Sequence, residues 1–221
     1  MAYEYPIRDQ SPYASKHFDP LCVSFLGEAM NNNSGAVEHL DLVDNNDNVL
    51  GRLTKQEIYL NGMNNFRVIN CFLYKVTENR KDFLIWVPRR HPQKKLFPLH
   101  LDASVGGHVQ SGETYIEAFR RECLEEINID IENYEYEPLF KLHPINHGVS
   151  AFMTVYGLRW DSDLLQDPNF NREDIIESFW MKPQDLYDVL RQGKEKSKSD
   201  LIILLSHFIR HLESKKIFAL A

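Results

Sequence analysis

The chain has 221 residues, 43% of them apolar and 26% charged, which excludes collagen-like, wholly disordered and disulfide-scaffold proteins. Its 25 Lys and Arg stand against 32 Asp and Glu, a net charge of −7 that argues against general nucleic-acid binding. No apolar run exceeds five residues, Leu201–Leu205 for example, so no helix of the about 20 residues needed to span a membrane is expected.

In chain order, residues 1–35 read as an arm and linker, with Pro6, Pro12, Pro20 and the polar run Asn31 to Gly35. A strand is expected at Leu40–Val43, then turn chemistry at Asp44–Asn48, then a strand from Val49 that ends at Gly51. Thr54 with Glu57 forms a capping box for a short helix. Phe66–Val76 and Phe83–Val87 are strands joined by a hairpin turn at Glu78–Lys81. Pro88–Pro98 reads as a loop and Leu101–Val105 as a strand that runs into Gly106-Gly107. Thr114 caps a helix to Ile127, again with a Glu three residues on, Glu117. Strands at Tyr136–Leu142, Val149–Leu158 and Ile175–Trp180 follow, then helices at Pro183–Leu190 and Ser199–Leu212. This alternation predicts an α/β protein with a mixed sheet layered between helices. Cys22, Cys71 and Cys123 are widely spaced with no CxxC pair, so free thiols are expected. The first ten residues lack a basic start and an apolar stretch; together with free thiols this predicts a cytoplasmic location.

The chemistry lies in GHVQSGETYIEAFRRECLEEINI, Gly107 to Ile129. Helical geometry puts Glu122, Glu125 and Glu126 within an arc of about 100°. Ile116, Phe119, Cys123 and Ile127 form the adjacent apolar stripe. Three carboxylates at this spacing repel each other by a few tenths of a kcal/mol per pair, and they sit at the helix end where the dipole disfavours anions. A divalent cation with a preference for oxygen, Mg²⁺ or Mn²⁺, relieves both penalties. A bare ExxEE is more often a solvated acidic face, so the spacing of the whole segment decides the matter.

That segment resembles the signature of the Nudix hydrolases: Gly, five residues, Glu, seven residues, then Arg-Glu-U-x-Glu-Glu-x-Gly-U, with U bulky and aliphatic. Gly107, Glu113, Arg121, Glu122, Glu125, Glu126 and Ile129 match; Cys123 stands at the first U and Asn128 at the usual Gly. Asn is the next best residue for a left-handed helix stop. The resemblance implies the Nudix fold, an α/β/α arrangement, in residues 36–197, with 198–221 a C-terminal helix packed on it. It implies Mg²⁺ or Mn²⁺ held by Glu122, Glu125, Glu126 and the carbonyl of Gly106 or Gly107. One of the glutamates, Glu122 or Glu125 among them, would accept the proton of the attacking water, while Glu113 and Arg121 brace the loop. The implied partner is a small diphosphate compound, typically a nucleoside diphosphate linked to another group. A homodimer is left open.

A second resemblance covers Leu40 to Leu190: LDLVDNNDNVLG, RVINCFLYKV, PRRHPQKKLFP and DASVGGHVQSGE are similar to the isopentenyl diphosphate isomerase branch of the superfamily. That branch places a catalytic cysteine where this chain has Gly106, and two acids where it has Asn146 and Gly148. The resemblance therefore implies an isomerase-like scaffold with hydrolase residues. The alternatives are an isomerase-like enzyme and a non-catalytic nucleotide-sensing domain. The related enzymes use a basic loop for diphosphate, which makes Arg89, Arg90, Lys94 and Lys95 candidate phosphate ligands. His108 reads as a loop residue rather than a metal ligand, and His207 with His211 as a surface pair. Glu173, Asp174 and Glu177 are weaker candidates for a distant base.

Overall fold

The structure is a computed structural model that describes residues 37–77, 83–160 and 167–215. The expected arm at 1–35, Cys22 and the hairpin turn at Glu78–Lys81 lie outside them. Strands β1 (His39–Val43) and β2 (Val49–Thr54) pair antiparallel through a turn in which Asp47 is left-handed, φ 66°. β2 thus continues through Gly51, because its residues pair with β1 as far as Thr54↔His39. Thr54 caps α1 (Lys55–Leu60) with Glu57 in the expected reciprocal box.

The main sheet has six strands. β3 (Arg67–Val76) is central and pairs in parallel with β7 (Phe152–Arg159). β6 (Tyr136–Leu142) flanks β7, while β4 (Phe83–Arg90) and then β8 (Ile175–Met181) continue from the other edge of β3. That edge is shared. The C-terminal residues of β3 pair with β4, and Val68 to Cys71 pair with the short β5 (Val105–His108). Two expectations shift here. β4 extends through Arg90, held by pairing of Arg89 with Glu177, so the basic loop is shorter than its prolines suggest. The strand expected at Leu101–Val105 lies further on, and Gly106-Gly107 is its middle, opposite Asn70 and Ile69.

Alternation along β3 assigns the two faces of the sheet. Ile69, Cys71 and Leu73 face α2 (Tyr115–Ile127), packing with Phe119, Cys123 and Ile127. Phe72 faces α4 (Pro183–Arg191) and α5 (Leu201–Ser214), packing with Leu186, Leu204 and Phe208. The sheet is therefore mixed and lies between helices, as expected. A short helix α3 (Pro144–His147) and a 3₁₀ turn (Ile131–Asn133), both unforeseen, fill the connections. Among the described residues no helix is long and apolar enough to cross a membrane.

Helix α5 is bound by aromatic contacts. Phe208 is fully buried, with its ring 4.4 Å from that of Phe72 and 5.8 Å from that of Phe83. We expect Phe208→Ala to cost about 3–5 kcal/mol in urea unfolding. Leu124→Ala, at a position 53% exposed, should change stability by less than about 0.5 kcal/mol.

Candidate active site

Helix α2 starts where Thr114 accepts from the Glu117 amide and the Glu117 carboxylate accepts from Thr114. It stops at Asn128, left-handed at φ 55°, with the Ile129 amide donating to the Cys123 carbonyl at 3.1 Å. The apolar stripe then sets the rotation of the helix: Phe119, Cys123 and Ile127 are fully buried, and Ile116 is partly so. This rotation turns Glu122 and Glu126 toward β5 and leaves Glu125 57% exposed, so the three glutamates do not face one way equally.

Glu122 lies directly on Gly107. A side-chain carbon at Gly107 would come within 1.9 Å of Glu122 Oε1, so only glycine leaves room for this carboxylate. Glu126 accepts a hydrogen bond from the Gly106 amide at 3.1 Å. Sequence reasoning assigned Gly106 a carbonyl role; its N–H is what meets a glutamate here.

Arg121 joins the parts. It donates to both oxygens of Glu113 at 2.8 and 2.9 Å, to Glu122 at 2.7 Å and to the His108 carbonyl at 2.9 Å. Its contact with Glu125 is longer, 3.4 Å. Glu113 in turn accepts from the Gln110 amide, which closes the loop before the helix. These bonds to Glu113 and Glu122 push the Arg121 guanidinium further up from its already high range. Burial works against Glu113, but the Arg121 and Gln110 bonds prevail and hold its carboxyl below the usual range.

Both inward glutamates are pushed up, and burial is the first cause for each. Burial raises Glu122, partly offset by Arg121. Glu126 is enclosed at its carboxyl end, and burial, then repulsion from Glu122 and Asp102, push it up to about 8. A pair of crowded, desolvated carboxylates with hard oxygen donors fits a divalent cation, whose charge would reverse both causes. Among the described residues no group of three His, Cys, Asp or Glu side chains converges as a ready-made cage. Glu122 is held by Arg121 and Glu125 points outward, so such a cation would depend on water or substrate oxygens as well, as Mg²⁺ commonly does.

The candidate basic residues differ in their partners. Arg89 is committed to Glu177 at 2.6 Å and to Glu195 at 3.0 Å, and Lys94 is paired with Asp174. In this structure Arg89 and Lys94 therefore hold carboxylates of neighbouring segments. The same pairs occupy Asp174 and Glu177, two of the candidates for a distant base. Lys95 is exposed on the loop. Arg90 pairs with Asp102 at 2.9 Å. Sequence reasoning missed Asp102 and Lys198, which both act electrostatically on Glu126. His108 is not a loop residue: it ends β5, its Nε2 meets Tyr59 Oη at 2.8 Å, and its ring stacks on Phe66. Burial, then Lys55, Lys198 and Arg121, keep it well below the usual histidine range.

Comparison with known proteins agrees with this geometry. The NUDIX domain model matches residues 66–203. An uncharacterised Nudix hydrolase of Nostoc sp. is 45% identical over 172 residues, 78% of this chain and 96% of that protein. A Nudix hydrolase of Deinococcus radiodurans is 42% identical over 176 residues, covering 80% and 96%. The crystal structure of DR0079 from Deinococcus radiodurans superimposes with a TM-score of 0.67 at 41% identity, covering 76% of this chain and 98% of that one. An isopentenyl-diphosphate Delta-isomerase of Klebsiella pneumoniae matches at 33% identity over 150 residues, covering 66% and 77%. The mixed sheet between helices, with a glycine strand set under a glutamate-bearing helix, is the Nudix fold. The chain belongs to the Nudix hydrolase family.

The raised carboxyl of Glu126 has a consequence for stability. Its folded value exceeds the unfolded one of about 4.3, so the folded state is favoured below that pH and loses stability as pH rises toward about 8. In chelator-treated protein, Glu126→Gln should raise the thermal midpoint at pH 8 by about 2–4 °C or more, and by much less at pH 5. Differential scanning calorimetry at the two pH values checks this; an equal shift at both would contradict it.

Proposed function

We propose that the protein is a Mg²⁺- or Mn²⁺-dependent pyrophosphohydrolase that cleaves the diphosphate linkage of a nucleoside diphosphate joined to another group, or of a similar small molecule. The observation that carries this reading is the Glu122 carboxylate seated in the space that Gly107 leaves, beside the enclosed Glu126. Glu122, Glu126 and, from its exposed position, Glu125 would hold the cation, which supplies charge neutralisation and Lewis-acid activation for the diphosphate.

The protein's own groups do the rest. Arg121 and Glu113 keep the loop and helix in register, so that Glu122 is fixed before substrate arrives. Glu125 is exposed and long, and with Glu122 it is the candidate to accept the proton of the attacking water. Both Gly106 and Gly107 leave the floor of the site open to close approach by oxygen atoms. The buried free thiols Cys71 and Cys123 suit a reducing compartment, which supports a cytoplasmic location.

The isomerase reading lacks its acid and its base. Gly106 offers no thiol, and a side-chain carbon there would lie 3.0 Å from Asn70 Oδ1. Asn146 is in α3, and Gly148 caps that helix in the left-handed region at φ 69°. A purely sensing role is disfavoured by the complete set of Glu122, Glu125 and Glu126 with their bracing arginine.

A panel of ADP-ribose, NADH, dinucleoside polyphosphates, nucleoside triphosphates and isopentenyl diphosphate tests this, with products identified by mass spectrometry. We expect Mg²⁺-dependent cleavage of at least one diphosphate and no interconversion of isopentenyl and dimethylallyl diphosphate. On the substrate found, Glu126→Gln should lower kcat by about 10³-fold with little change in KM. Near-normal turnover by that variant at saturating Mg²⁺, or isomerisation by the wild type, would contradict the reading.

A further inference from the structure

Lys198 stands far from the glutamate helix in sequence, yet the fold brings it beside Asp102, three residues before β5. The segment between α4 and α5 is tied to the fully buried Leu101. The Leu101 amide donates to the Lys196 carbonyl at 2.9 Å, the Lys198 amide donates to the Leu101 carbonyl at 2.9 Å, and Ser197 bridges Leu101 in parallel. Just beyond, Asp200 accepts from Ser150 Oγ at 2.5 Å and begins α5. Lys198 is therefore held by its backbone on both sides, with its side chain beside Asp102, the residue that follows Leu101.

Neutralising Asp102 does not account for this lysine. Asp102 already accepts from Arg90 Nη1 at 2.9 Å on one oxygen and from the Ala103 amide at 2.9 Å on the other. Lys198 Nζ stands 3.5 Å from the oxygen that Arg90 uses, beyond a strong hydrogen bond, and 35% of its side chain is exposed. Asp102 lies three residues before β5, the strand whose Gly106 amide donates to Glu126, so Lys198 stands on the segment that leads into the glutamate site. Arg90 is immobile by comparison, since it also donates to the Leu96 carbonyl at 3.2 Å.

We infer that Lys198 is a ligand for a substrate phosphate, delivered to the mouth of the glutamate site by the segment that Leu101 holds, with Arg90 as its fixed companion and Asp102 as the counter-ion both cations share in the absence of substrate. The inference rests on the diphosphate reading above. A lysine ammonium is a point charge on a flexible stem and can move from a loose carboxylate contact to an incoming phosphate oxygen. The two cations would then add positive charge to the diphosphate beyond that of the metal as the leaving group forms.

The test uses the full chain and methylenediphosphonate, a diphosphate mimic that cannot be hydrolysed, titrated calorimetrically in Mg²⁺. Lys198→Met should weaken binding about tenfold or more, and Lys198→Arg, which keeps the charge, by less than about threefold. Mn²⁺ affinity in the absence of the mimic, read by electron paramagnetic resonance, should not fall in either variant. Wild-type affinity in Lys198→Met overturns the inference and leaves the diphosphate reading standing. Loss of Mn²⁺ binding in either variant overturns it too, since Lys198 would then act on the carboxylates. Failure of the wild type to bind the mimic removes the diphosphate reading, and the inference with it.

Discussion

The guanidinium of Arg121 spans the loop, the strand and the helix that make the site. It grips both oxygens of Glu113 before the helix, the His108 carbonyl at the end of β5, and Glu122 on its own helix. Removing it would leave the partly buried Glu122 without its ion-pair partner and Glu113 with only the Gln110 amide, a loss of several kcal/mol in comparable buried pairs. The glycine strand can pass under Glu122 because Gly107 has no side chain, and the Arg121 bridge ties the end of β5 to α2. The apolar stripe of α2 sets the rotation of the helix, but Arg121 sets what that rotation presents.

The same arrangement carries an unfavourable element. Glu122 and Glu126 are both desolvated, with Glu122 and Asp102 repelling Glu126, and Glu125 and Glu38 repelling Glu122. A core chosen only for stability would not hold them so. The rest of the molecule offsets the cost through extensive packing on both sheet faces, Phe119 stacking on Tyr156 at 4.3 Å on one and Phe72 on Phe208 at 4.4 Å on the other. A local conflict of this kind is typical of a functional site set in an otherwise consistent fold.

What could be read from the sequence was what is decided locally. The capping box at Thr114 and Glu117, the left-handed stop at Asn128 and the buried stripe of Phe119, Cys123 and Ile127 each depend on a few neighbouring residues, and each is present. The glutamate spacing was legible for the same reason. Long-range pairing was not. Gly106-Gly107 has the composition of a strand end, but Asn70 and Ile69 pair with it and make it strand interior. Arg89 looked free to bind phosphate because nothing nearby in sequence announces Glu177 across the sheet or Glu195 after α4. Lys198 was invisible because only the hydrogen bonds of Leu101 to 196–198 bring it beside Asp102. Local spacing showed the acids; tertiary structure was needed to find the cations.

Glu122 and Glu126, fixed by Arg121 and the glycine strand, would thus form a divalent-cation site. The most direct measurement is anomalous diffraction from crystals grown with Mn²⁺. We expect a peak at about 2.1 Å from carboxylate oxygens of both Glu122 and Glu126, lost in Glu126→Gln crystals. Mn²⁺ bound only at exposed carboxylates elsewhere, with the Arg121–Glu122 bond intact and no density between the two glutamates, would contradict the claim.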